Sequence, residues 1–157
     1  MLPSKVTQGK TLDDNEGSFA AKFATDQIIA TMSATGTNDG TGWLKLEFET
    51  PILIQKVVIH YQFYKDWFAP NDNCRQSEEK FKEDCVDAHN NVDVSAGTEG
   101  SAALCGVLQL RDGLRQTDQV YAVICNIFVD VVMLTKDEGV ISVSEVVVVT
   151  AKGTSIP

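Results

Sequence analysis

The chain has 157 residues, 43% hydrophobic and 22% charged, with 22 Asp and Glu against 13 Lys and Arg, for a net charge of −9. A domain of this length buries about 68–70% of its unfolded surface, so the chain reads as one domain, 1–157, with a core over about 5–150. The acidity excludes nucleic-acid binding, which needs clustered Lys and Arg, and disfavours anionic membrane surfaces.

In chain order, MLPSKVTQGK (1–10) lacks the apolar core of a signal peptide, and Met1 is read as a start placed on a mature chain. EGSFAAKFATDQ (16–27) has room for one or two helical turns. TGWLKLEF (41–48) sets Trp43, Lys45 and Glu47 against Leu44, Leu46 and Phe48, the period of two of a half-buried strand. PILIQKVVIHYQF (51–63) is rich in β-branched and aromatic residues and opens on a proline, as a second strand does at a sheet edge.

The next segment, FYKDWFAPNDNCRQSEEKFKEDC (63–85), joins an aromatic cluster, a Pro-Asn-Asp-Asn turn and two cysteines. SEEKFKED (77–84) within it suits a short helix capped by Ser77. Strands are expected again in NNVDVSAG (90–97), CGVLQL (105–110), QVYAVICN (119–126), DVVMLT (130–135) and ISVSEVVVVT (141–150), separated by turn clusters such as RDG and KDEG. AKGTSIP (151–157) reads as a frayed tail. No run of 18 apolar residues occurs, so no spanning helix is expected. Many short strands with punctuating turns in one domain point to an all-β antiparallel sandwich or barrel rather than an α/β fold.

Four cysteines, Cys74, Cys85, Cys105 and Cys125, allow three pairings. Sequence-local bridges, Cys74–Cys85 and Cys105–Cys125, are the simplest choice, and they imply an oxidising, extracellular setting. The alternative is four reduced thiols in a cytosolic protein. No pair has the CxxC spacing of a zinc site, and His60 and His89 complete no ligand set with them. His60 lies mid-strand, no nucleophile has a base placed by motif, and no phosphate-binding glycine pattern occurs, so no enzyme activity is expected.

Four stretches in order, FATDQI (23–28), GWLKLEF (42–48), IQKVVIHYQ (54–62) and ISVSEVVVV (141–149), resemble the F-type lectin (fucolectin) family. That family is a branch of the discoidin-like, galactose-binding jelly roll, so the resemblance implies an eight-stranded antiparallel β-sandwich or jelly roll. LCG (104–106) and ICN (124–126) also match its long-range disulfide, Cys105–Cys125. The resemblance implies a structural calcium held by side-chain oxygens of Asp26 and Glu145, by backbone oxygens of Phe23, Ile28 and Ser144, and by Thr37. Calcium takes six to eight hard oxygens, many of them carbonyls. The bland alternative leaves Asp26 capping a turn and Glu145 solvated on the outside of a strand.

The family's fucose grip, a His, two Arg and an adjacent Cys-Cys pair, is not matched. The His position falls near Gly40, the first Arg position reads Gln62, and the second is lost in the 63–85 insertion. Paired arginines fix hydroxyls by charge-assisted bonds, so the fucose mode is not expected here. What remains is an aromatic platform with amide and charged neighbours: Gln62, Tyr64, Trp67, Asn71 and Arg75 are the candidate ligand contacts. The expected function is a secreted, non-catalytic, calcium-stabilised glycan- or glycoprotein-binding domain whose ligand preference has moved away from fucose. A single-site lectin gains avidity from oligomerisation, so a homo-oligomer is expected. The competing reading is an extracellular protein-recognition, adhesion or matrix module on the same scaffold.

Overall fold

In a computed structural model of the chain, the alternation at 42–48 opens a strand much longer than that pattern suggests. The structure describes residues 2–9, 17, 20–28, 33–35, 42–62, 92–98, 100–108, 118–136 and 141–151. Eight strands lie among the described residues: β1 (Lys5–Gln8), β2 (Ser33–Ala34), β3 (Gly42–Gln62), β4 (Val92–Gly97), β5 (Ala103–Leu108), β6 (Asp118–Lys136), β7 (Ser142–Val143) and β8 (Glu145–Thr150). All the pairings are antiparallel. Among the described residues of the helical segment expected in 16–27, Ala21–Ala24 form a 3-10 turn.

Two expected strand pairs prove to be single strands. Segments 41–48 and 51–63 merge into β3, and 119–126 and 130–135 merge into β6. Each bends where its register slips. On β3 the slip lies between Glu47 and Ile52, and it spans Pro51, which has no N–H to give the ladder. A second slip between Ile54 and Lys56 faces Asn126, whose φ of 47° is left-handed, a conformation Asn tolerates better than most residues. The bends let β3 and β6 serve two layers. Their 42–47 and 131–136 halves pair with β1 and β4. Their 52–62 and 118–129 halves pair with each other and with β8.

The core lies between the layers. Leu44, Leu46, Val92, Val94, Ala96 and Leu134 from the first layer and Ile54, Val57, Ile59, Val146 and Val148 from the second form one buried cluster. β5 ties the layers together at the side. It ladders with β4, while Cys105 bonds Cys125 of β6, with Cα atoms 5.2 Å apart. Gly106 is required there, because a Cβ would come within 2.9 Å of the Val123 side chain.

A buried carboxylate at the loop-bearing end of the sandwich

β8 begins at Glu145, directly after a break at Ser144. The Ser144 N–H donates to the His60 carbonyl at 2.9 Å, and Glu145 sits opposite His60 in the ladder. His60 is two residues short of the end of β3, so this junction lies at the end of the sheet where residues 63–91 depart. β7 runs on beyond it and pairs with β2, Ser33 opposite Val143 and Ala34 opposite Ser142. At the far limit, Thr35 and Ile141 exchange two bonds: the Thr35 N–H donates to the Ile141 carbonyl, and the Ile141 N–H donates to the buried Thr35 Oγ1, both at 2.9 Å. The chain that leads into residues 36–40 is thereby fixed at the same end.

The loop after the 3-10 turn closes over this junction. Ala20 and Ala24 are buried and anchor it to the core. Asp26 Oδ1 accepts the Ile28 N–H at 2.9 Å, an Asx turn that carries the chain through Gln27 at φ 65°. That left-handed residue aims its own N–H at Glu145 Oε2, 3.1 Å away, across 118 residues of sequence. Glu145 is consequently only 4% exposed, and Ser144 is fully buried.

Burial sets the electrostatics of the carboxyl. Desolvation disfavours its charged form, the Gln27 N–H offsets part of this, and the negative charge of Asp26 adds to the rise, leaving the Glu145 pKa at about 7. The outward, solvated Glu145 of the bland alternative is therefore not what the structure contains. A buried carboxylate whose proton affinity is raised by burial and by a second, half-buried carboxylate beside it is donor chemistry that a hard divalent cation neutralises. Among the described residues no group of three or more His, Cys, Asp or Glu converges. A cation here would consequently depend on backbone carbonyls as well, and Phe23, Ile28 and Ser144 lie on the same two segments as the carboxylates. The residues fit calcium.

Of the expected ion ligands, Phe23, Asp26, Ile28, Ser144 and Glu145 are all on the loop or the junction it covers; Thr37 lies outside the described residues. Tyr64, Trp67, Asn71, Arg75 and the Cys74–Cys85 bridge also lie outside them. Gln62 ends β3 and pairs with Asp118, which places the root of the 63–91 connection beside the acidic corner. Sequence reasoning missed Gln27 and Thr35. Gln27 leaves no signal, since its role follows from a backbone angle rather than its side chain. Thr35 carried a weak one, as a hydroxyl residue among small polar residues.

No family model matches the chain, and no curated protein matches it. Solved structures do resemble it. A fucolectin from striped bass (Morone saxatilis) serum is similar with a TM-score of 0.64 at 13% identity, over 92% of this chain and 44% of that one. A family 32 carbohydrate-binding module from Clostridium perfringens, solved with galactose, gives 0.59 at 17% identity over 92% and 91% of the two chains. An F5/8 type C domain from Bacteroides fragilis gives 0.62 at 15% identity over 92% and 89%. The chain therefore has a β-sandwich fold, shared with an F5/8 type C domain, a carbohydrate-binding module and a fucolectin.

Proposed function

We propose that this is a non-catalytic carbohydrate-binding domain of the lectin type, with a structural calcium at Asp26 and Glu145 bracing its binding end. The observation that carries the reading is the corner itself. A carboxylate 4% exposed, beside a second one, ties the 20–28 loop to the strand junction at the base of the 63–91 connection. Bound calcium would neutralise both carboxylates and cross-link segments more than 100 residues apart, where a closed loop most restricts the unfolded chain. Asp26 and Glu145 would supply side-chain oxygens, with carbonyls of Phe23, Ile28 and Ser144 completing the set and Thr37 adding a further oxygen.

The sugar assignment draws support from similar structures solved with galactose, with GalNAc-β-1,3-galactose and with Lewis B antigen, and from a pectin-binding module. Another similar structure is a glycoside hydrolase, 31% of which this chain covers, so attachment to a catalytic partner is compatible with the reading. Ligand contact falls to Gln62, Tyr64, Trp67, Asn71 and Arg75, with an exposed aromatic ring as platform and amide and charged groups fixing hydroxyls. Losing both family arginine positions moves the preference away from fucose. The Cys105–Cys125 bridge supports a secreted, oxidising setting.

The test is sugar binding by the wild type and by Trp67→Ala, each with calcium. Loss of binding in a Trp67→Ala protein with an unchanged melting temperature supports the reading. Undiminished binding by that variant places the platform elsewhere. Absence of glycan binding by the wild type, together with saturable binding to a protein, replaces it with the protein-recognition module.

A further inference from the structure

The two layers of the sandwich show different outer faces. On the first, Lys45, Glu47, Asp93 and Ser95 take the outward positions, and Lys5 and Lys45 both pair with Glu47, at 4.0 and 3.8 Å. That is the polar alternation of a sheet facing water. The second layer does not alternate. In β8 Val146 and Val148 point into the core, and Val147 and Val149 occupy the opposite face. Cross-strand pairing sets Val147, Val58 and Ala122 in one row and Val149, Lys56 and Ile124 in the next. Ile124 is 56% exposed, and Phe128, opposite Leu53 further along, is 66% exposed.

Continuous apolar runs are the mark of strands covered on both faces. Here the sequence supplies that pattern, and among the described residues the fold covers only one side. We propose that the outer face of β8, β3 and β6 is the interface of a two-fold homodimer.

Three observations select a second copy as the occupant. The first is size. Three strands at about 4.8 Å, widened by β5 alongside β6, and about eight residues at about 3.3 Å give a flat footprint of roughly 500 Å² before side-chain relief. With a polar rim this approaches the about 800 Å² per partner of a standard specific interface.

The second is charge. The chain carries −9 overall, so two copies repel unless the touching surfaces lack acidic groups. On the central rows the ionisable side chains are Lys56, His60 and Glu145, with Glu145 buried under the 20–28 loop; acidic residues stand at the two ends of β6, Asp130 beyond Phe128 and Asp118 at the register position opposite Gln62. The third is symmetry: one sheet face can pack on its own copy across a two-fold axis, as sheets stack in a sandwich. The face runs along the sheet, so pairing leaves the loop-bearing end of each copy open. This proposal does not depend on the calcium or sugar assignments.

Sedimentation velocity on the wild-type chain, from about 1 to about 100 µM, tests it. The expected species at the upper end has twice the chain mass of 17.1 kDa. Val147→Lys and Ile124→Lys should each return it to monomer, while Lys45→Ala on the other layer leaves the dimer intact. Hydroxyl-radical footprinting of the wild type across the same dilution series reads the face without any variant; Phe128 and Ile124 should lose reactivity as dimer forms. A wild type that stays monomeric throughout overturns the proposal, whether its face is then covered by another part of the chain or by a different partner. So does a dimer in which Phe128 and Ile124 keep monomer reactivity, or one that a folded lysine variant leaves unchanged.

Discussion

Replacing Glu145 by Gln removes a titrating group without changing its shape, and it keeps an oxygen for the Gln27 N–H. The folded protein holds Glu145 near pKa 7, against an ordinary value of 4.5. The folded state therefore binds a proton more readily than the unfolded chain, and stability falls as pH rises between the two values. Below 4.5 both states are protonated and no penalty exists; above 7 both are ionised and the full penalty applies. At about 1.4 kcal/mol per pH unit across that window, the cost reaches about 3 kcal/mol by pH 8. Urea unfolding of both proteins in EDTA from pH 4 to 8 measures it. The wild type should lose about 3 kcal/mol relative to Glu145→Gln over that range, most steeply between pH 5 and 7. Calcium at pH 8 should reverse the order, stabilising the wild type and leaving the variant nearly unmoved. A pH-independent difference between the two proteins would refute the buried-carboxylate argument. A wild-type melting temperature indifferent to EDTA would refute the ion.

Other substitutions probe the frame around that corner. Thr35→Val keeps the shape but strands the buried Ile141 N–H, and denaturant unfolding should show a loss of about 1–3 kcal/mol. Replacing both Cys105 and Cys125 by Ala opens a bridge of sequence separation 20, which should cost about 3 kcal/mol by the same assay. Gly106→Ala pushes a methyl onto Val123; a loss of about 1–3 kcal/mol is expected, relieved when Val123→Ala is added, and an undiminished melting temperature would contradict the tight approach.

Much of the sandwich was legible because burial leaves a period of two. Residues 42–48 and 92–97 alternate buried and half-buried positions as their sequences do. The continuity of β3 was not legible. Glu49-Thr50-Pro51 has the composition of a turn, yet the chain stays extended through it and absorbs the proline as a register slip. Asn126 hid the continuity of β6 in the same way, since a left-handed residue inside a strand resembles a strand end. β2 is two residues long, and its partner lies over 100 positions away, so no local pattern could mark it. The acidic corner was legible only through its resemblance to a known family. Periodicity puts Glu145 on the outward face of β8, and only the 20–28 loop folding over it makes the carboxylate buried.

The central claim is that a calcium-braced end of this sandwich binds carbohydrate, and a glycan array probed in calcium and again in EDTA tests it most directly. Binding to a defined set of non-fucose glycans in calcium, weakened in EDTA and abolished by Trp67→Ala, is the predicted result. An array silent in both conditions, with the protein folded, would contradict the account.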